Sequence, residues 1–285
     1  MTTIWSGLSS GAVYALVALG YNICFIGSGT FNFAQASLTM LGVFLAYWGL
    51  SQLGWAALAV IVVALVIVAL SGVTEERVAI RPVRQLQGLL VTTVGAATLI
   101  TGVIEVIWGQ QALEVPSFFT NNPLTVLGGR VLPDDLVLIG LALVFTAAFA
   151  AFSRFTMTGL AALAAAEDRE PALLRGVNAR RFQIGAFAIA GALAGLLGPF
   201  IGPKTFASFG LAQSLAIIAF VALAIGGFGS LAGATFGAFV IGLVQAYTDR
   251  YIGGNYENLM VFAILLVVLL ILPTGLFGRR GERVV

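Results

Sequence analysis

Apolar residues run along this chain in long unbroken blocks. VIVVALVIVAL (Val60–Leu70) contains no polar position, and MVFAILLVVLLIL (Met260–Leu272) reads the same way. Neither block alternates, so the ten-residue alternating segments of a transmembrane β-barrel are not the pattern. Extended by small neutral neighbours, such blocks approach the roughly 20 residues that carry a helix across a bilayer. Apolar length measured against breaks gives about nine candidate spans, at 4–26, 33–50, 55–73, 89–108, 134–153, 182–201, 211–227, 231–248 and 257–273. The expected fold is all-α: a polytopic membrane protein of eight or nine transmembrane helices forming one domain over residues 1–285. Two joints, at 27–31 and 228–230, are so short that either tight turns or broken half-crossing helices satisfy them.

Composition points the same way. Hydrophobic residues make up 60% of the chain and charged residues 9%, against about 25% charged in a soluble domain. The 35 glycines suit helices that approach closely in lipid. A net charge of +2 gives no reason to expect nucleic acid as a partner. With no histidine, one cysteine (Cys24) and no clustered carboxylates within the spans, no catalytic or metal-binding constellation is expected. No G-x-x-x-x-G-K-[ST] phosphate loop occurs. The chain is therefore not expected to be an enzyme or to hold a cofactor of its own. The N-terminus, MTTIWSG, lacks a basic region, so the first apolar block reads as a retained span.

Lys and Arg placement sets the expected orientation. With nine spans and an outside N-terminus, eleven of the fourteen basic residues fall on cytoplasmic segments, among them Arg77, Arg81, Arg84, Arg154 and the Arg279–Arg280 pair. Only Arg130, Lys204 and Arg250 fall outside. The longest outer loop is 109–133, where Pro116, Pro123, Pro133 and Asn121-Asn122 mark turns. Arg77, Arg81 and Arg84 read as a basic cytoplasmic face, open either to anionic lipid or to the edge of a partner.

The longest cytoplasmic segment, about 154–181, holds seven charges between Ala164 and Arg181 in AAAEDREPALLRGVNARR. Thr158–Ala166 favours helix strongly. Pro171 suits the first turn of a short second helix, Gly176 its C-terminal stop, and Asn178 the N-cap of the next span. A short charged helix on the membrane face suits docking to a partner: Glu167, Asp168, Glu170 and Arg175 would set register, while Ala172, Leu173 and Leu174 pack. Glu170-Pro171-Ala172-x-x-x-Gly176 resembles the E-A-A-x-x-x-G coupling loop of ABC importer permeases. Its second position is proline here, and the family's downstream I-x-L-P has no counterpart in QIGAFAIA (Gln183–Ala190).

Polar groups inside spans are candidate pathway residues, because lipid cannot satisfy them. Asn32 and Gln35 lie three apart and share a face if helical; they line a path or tie helix ends together. Asn22 allows the same two readings. Glu105, near an outer end, reads as a gate or as an interfacial carboxylate. Thr92 and Thr93 add polar lining, or bond back to their own helix carbonyls. Gly226, Gly227 and Gly229 permit tight turns, or break a helix along the path.

Over nearly its full length the chain resembles the permeases of branched-chain amino acid ABC importers, the LivH type. The resemblance is carried by GAVYALVALGYN (Gly11–Asn22), FNFAQASLTMLG (Phe31–Gly42), EERVAIRPVR (Glu75–Arg84), AAAEDREPALLRGVNARR (Ala164–Arg181), AIGGFGSLAGATFGA (Ala224–Ala238) and LPTGLFGRRG (Leu272–Gly281). Gln35 and Ala36 stand where the family's I-N-F-A-H-G stretch has His and Gly. The resemblance implies a permease of the cytoplasmic (inner) membrane that moves a small, branched-chain amino acid by alternating access. It also implies a second, LivM-like permease, two ABC ATPases that bind ATP and Mg, an external substrate-binding protein, and surrounding lipid. Two alternatives remain at this level: an ion-coupled secondary transporter of a small solute, and an ABC permease for urea or short amides.

Overall fold

The computed structural model describes residues 1–29, 31–83, 85–119, 122–167, 178–272 and 274–278. Each of the nine expected spans falls on a helix. These are α1 (Thr2–Ser28), α2 (Gln35–Tyr47), α3 (Ala57–Glu75), α4 (Leu86–Trp108), α5 (Pro133–Phe155), α7 (Ala179–Thr205), α8 (Leu211–Gly226), α9 (Leu231–Tyr251) and α10 (Glu257–Ile271). Between α5 and α7 lies α6 (Met157–Glu167), the helix expected from the alanine-rich stretch. Seven helices among the described residues are long and apolar enough to cross a membrane. The other two expected spans are shorter: α2 has 13 residues and α8 has 16.

Two features depart from the sequence reading. The span expected to end near residue 73 continues as helix through Glu75 and then as a π turn over Glu76–Ile80, closed by the bond from Arg81 N–H to the Glu76 carbonyl at 2.8 Å. The EERVAIRPVR stretch therefore starts inside the helix and not in a loop. The outer loop also contains a small antiparallel hairpin, β1 (Leu124–Val126) and β2 (Gly129–Val131), in an otherwise helical chain. Leu127 and Gly128 take the positive φ angles of its two-residue turn (50° and 76°), which is the geometry that matches the twist of the strands.

The chain forms two compact units. One comprises residues 1–22, 122–150 and 217–285. In it, the Trp5 indole N–H donates to the Val126 carbonyl at 3.2 Å and fastens the hairpin to the start of α1. Ser9 on α1 donates to Asp135 at the start of α5. The Thr146 and Thr235 hydroxyls meet at 2.7 Å between α5 and α9. Helices α8 and α9 form an antiparallel pair, since Gly226 faces Gly233 and Gly237 faces Ala222. Residues Leu276 and Phe277 return to this pair, donating to the Ile225 and Gly226 carbonyls at 2.8 and 3.0 Å.

The other unit, residues 23–121 and 151–216, is organised around α7. Helix α3 runs antiparallel to α7, and the contacts recur every four residues. A Cβ on Gly195 would lie 2.3 Å from the Ala64 carbonyl oxygen, and one on Gly191 would lie 2.6 Å from that of Val68. Backbone meets backbone along this seam, so no side chain fits between. Helix α2 lies on the same helix, with Gly42 against the Ala194 carbonyl. Leu38, Leu45, Ala64, Val68 and Ala194 form the packed centre, covered by Leu41, Ile100 and Trp108. On α3 only one stripe is buried: Val60, Ala64, Val68, Gly72 and Glu75. Leu58, Val62, Val66 and Leu70 on its other sides are exposed, as expected of residues that face lipid.

The seam makes a specific prediction. Gly195→Ala places a methyl against the Ala64 carbonyl and should lower the unfolding midpoint of the purified protein, by a change of about 1–3 kcal/mol typical of overpacking. Gly102→Ala, where nothing lies within 4 Å, should leave the midpoint unchanged or raise it, as alanine favours helix by up to about 1 kcal/mol. Differential scanning fluorimetry in detergent distinguishes the two.

Candidate functional site

The expected pathway residues separate into distinct environments. Thr92 and Thr93 donate to the Leu89 and Leu90 carbonyls at 3.2 and 3.1 Å, which is internal helix bonding. Glu105 is partly exposed near the end of α4 and accepts from the Gln110 side chain, so here it closes the helix end. Asn22 is fully buried. Its Oδ1 accepts from the Gly229 N–H at 3.0 Å, tying α1 to the α8–α9 turn, where Gly227 and Gly229 both have positive φ (97° and 81°). The joint at 227–230 is thus a turn between antiparallel helices, and Gly226, Gly227 and Gly229 belong to that turn and its packing.

Asn32 and Gln35 are brought together with two residues that were not expected there. The start of α2, the end of α1 and the end of α3 converge on a buried polar cluster of Cys24, Asn32, Gln35 and Glu75, all at most 5% exposed. Asn32 Nδ2 donates to Glu75 Oε2 at 3.1 Å. Asn32 Oδ1 accepts from the Ala34 N–H at 2.9 Å, so the same side chain shapes the turn that leads into α2. Gln35 Nε2 donates to the Ala190 carbonyl on α7 at 3.1 Å. The Cys24 thiol lies 4.0 Å from both Asn32 Nδ2 and Gln35 Oε1, linking the two amides by contacts at the limit for sulfur. Through these bonds the two amides join the ends of α2 and α3 and the side of α7.

The neighbouring carboxylates differ sharply. Glu76 is fully buried, with neither oxygen hydrogen-bonded among the described residues, but Arg81, Arg180 and Arg77 act on it electrostatically. Among the described residues no such cation acts on Glu75. Its only polar contact of this kind is Asn32, and its Oε1 has no hydrogen-bond partner among the described residues. The sequence did contain a signal for Glu75: Val60, Ala64, Val68 and Gly72 recur every four residues, and Glu75 extends that stripe.

Of the expected docking residues, Glu167 ends α6. Asp168, Glu170, Pro171, Ala172, Leu173, Leu174, Arg175 and Gly176 lie outside the described residues. Beyond them, Asn178 caps α7 as expected, its Oδ1 accepting from the Arg181 N–H at 3.2 Å. Arg180 in this first turn is exposed.

A set of apolar helices with outward-facing hydrophobic sides and a polar cluster enclosed among four of them defines a multi-pass membrane protein with the architecture of a permease. Comparison with known proteins makes this specific: the chain belongs to the family described as "Branched-chain amino acid transport system / permease component", whose model matches residues 3–269. It is accordingly a transmembrane permease subunit of an ABC importer. It is 31% identical to the high-affinity branched-chain amino acid transport system permease protein LivH of Escherichia coli (strain K12), with 97% of this chain and 94% of that protein covered. It is 28% identical to the corresponding BraD permease protein of Pseudomonas aeruginosa, over 96% of this chain and 94% of that one. Among solved structures, PsaBC from Streptococcus pneumoniae in complex with Fab matches with a TM-score of 0.53 at 13% identity, covering 96% of this chain and 93% of that chain. That last likeness concerns the fold.

Asn32→Ala would leave both Glu75 oxygens without a donor and remove the acceptor for the Ala34 N–H. An unsatisfied buried group costs about 1–3 kcal/mol. The variant should therefore unfold at a clearly lower temperature, whereas Thr92→Ala, which frees no buried partner, should not.

Proposed function

We propose that this permease moves a small, branched-chain amino acid across the cytoplasmic membrane by alternating access, driven by ATP hydrolysis in partner subunits. The observation that carries the proposal is the match to the permease family over residues 3–269, with the LivH and BraD proteins aligned over 96–97% of this chain and 94% of their own length. The assembly comprises a second, LivM-like permease, two ABC ATPases holding ATP and Mg, and an external substrate-binding protein. The N-terminus lies outside and the C-terminus in the cytoplasm, following the positive-inside distribution of Lys and Arg.

Transmission starts at the segment between α6 and α7. Its E-P-A-x-x-x-G sequence (Glu170–Gly176) docks on an ATPase, and closure of the ATPases pulls on the start of α7. Two features support this route: α7 begins at the Asn178 cap directly after the segment, and α7 is the helix on which α2 and α3 pack. Asn32 and Gln35 line the substrate path at the arginine-rich end.

Reconstitution tests the assignment. Vesicles holding the complete complex, with ATP enclosed and the external binding protein added, should accumulate labelled leucine. The purified chain alone, given only a proton or sodium gradient, should not, and robust uptake there would establish the secondary-transport alternative instead. Replacing Gly176 with leucine should uncouple or detach the ATPases and reduce ATP-driven uptake by at least about tenfold, while the membrane helices keep their unfolding midpoint; tenfold corresponds to about 1.4 kcal/mol of lost coupling.

A further inference from the structure

The cluster at the start of α2 contains an imbalance that the helix ties do not explain. A buried carboxylate is costly unless a cation or a full set of donors satisfies it. Glu76 has three arginines acting on it. Glu75, 5% exposed, has one amide donor on Oε2 and, among the described residues, none on Oε1. Gln35 Oε1, in the same cluster, meets only the Cys24 thiol among the described residues, at 4.0 Å. These are acceptor atoms with unused capacity, on one buried carboxyl group and one buried amide.

We propose that Glu75 and Gln35 form a subsite for the primary ammonium group of the transported solute. The inference rests on the permease reading and narrows its substrate class. An ammonium brings one positive charge and three N–H donors, which match one carboxylate oxygen, one amide oxygen and a weakly accepting sulfur. A divalent metal ion is a poor fit. Calcium takes six to eight oxygen ligands, and no group of three metal-ligating His, Cys, Asp or Glu side chains occurs among the described residues. Urea and short amides carry no charge to balance the carboxylate, so the subsite selects amino acids over them. The cluster is enclosed here, as an alternating-access site is in one of its states.

The test uses the assembled complex in lipid nanodiscs without the external binding protein, so that its selectivity does not enter. Labelled leucine should bind the wild-type complex. Isopentylamine, which has the ammonium without the carboxylate, should displace it; 4-methylpentanoate, which has the carboxylate without the ammonium, should not, nor should sodium chloride at matched salt. Glu75→Gln keeps the shape of the side chain, retains an acceptor for Asn32, and removes the charge. It should weaken leucine binding at least about tenfold, as expected for loss of a charge-assisted bond, and abolish the effect of the amine, while the complex still co-purifies and unfolds at an unchanged temperature.

Leucine binding within twofold of wild type in Glu75→Gln would overturn the subsite and show that the carboxyl acts as a neutral structural group. Displacement by sodium would assign the site to an inorganic cation, and equal displacement by 4-methylpentanoate would remove the ammonium from the recognition; either result overturns the proposal. Absence of ammonium-dependent binding in a wild-type complex that still takes up leucine with ATP would refute the subsite and leave the permease assignment standing. Failure of ATP-driven uptake by that wild-type complex would instead refute the proposed transport of branched-chain amino acids.

Discussion

The close approach of α7 to its neighbours is the constraint on which the candidate site depends. In lipid there is little hydrophobic gain from bringing two apolar helices together, so association relies on contact between surfaces that fit. Along α7 that fit is made by Gly191 and Gly195, where the backbone of α3 comes near enough to exclude even a methyl group. The four-residue repeat of contacts fixes the rotation of α3 about its axis. Once Val68 and Ala64 face α7, helical geometry turns Glu75 inward as well. The carboxylate is buried as a consequence of the seam, and Asn32 and Gln35 are arranged around that consequence.

The cluster then ties together three helix ends that also pack on α7, through Gly27 against Ala186 and Gly72 against Phe187. Asn32 bonds α3 through Glu75 and shapes the entry to α2 through Ala34. Gln35 bonds α7 through the Ala190 carbonyl, one residue before Gly191. That carbonyl belongs to a helix whose close contacts leave its neighbouring residues little room to shift. A polar network with strong partners on a rigid helix and an unfilled acceptor at its centre combines precise placement with spare binding capacity.

Much of this architecture could be read from the chain. Apolar length located nine helices because a bilayer imposes a minimum on an uninterrupted apolar run, and Asn178 was recognisable as a cap because it stands just before a span. The site was only half legible. Asn32 and Gln35 stood out as polar residues beside a break, but Glu75 lay beyond the span that apolar length ended near residue 73. The spacing Val60, Ala64, Val68, Gly72 continues to Glu75, and the helix follows that spacing. Thr92 and Thr93 bond back to their own helix, the bland reading the sequence already offered, whereas the contact of Glu105 with Gln110 depends on local geometry that polarity alone does not reveal. The hairpin at Leu124–Val131 escaped notice because three-residue strands are too short to show an alternating pattern.

The position of α7 also links the two ends of the proposed mechanism. It starts immediately after the segment expected to meet the ATPases, and it carries the carbonyl that holds Gln35. Its seam with α3 joins backbone to backbone, so α7 cannot slide without displacing α3 or breaking contacts over several turns. A displacement of α7 imposed at Asn178 therefore reaches Gln35 through Ala190 and Glu75 through the α3 seam. The two side chains with unused acceptor capacity are thus held by the same helix, one through a hydrogen bond and the other through packing. Packed interfaces of this kind move between discrete arrangements more readily than they deform continuously. A shift of α7 would change the spacing between Glu75 and Gln35, and with it the affinity of any group held between them.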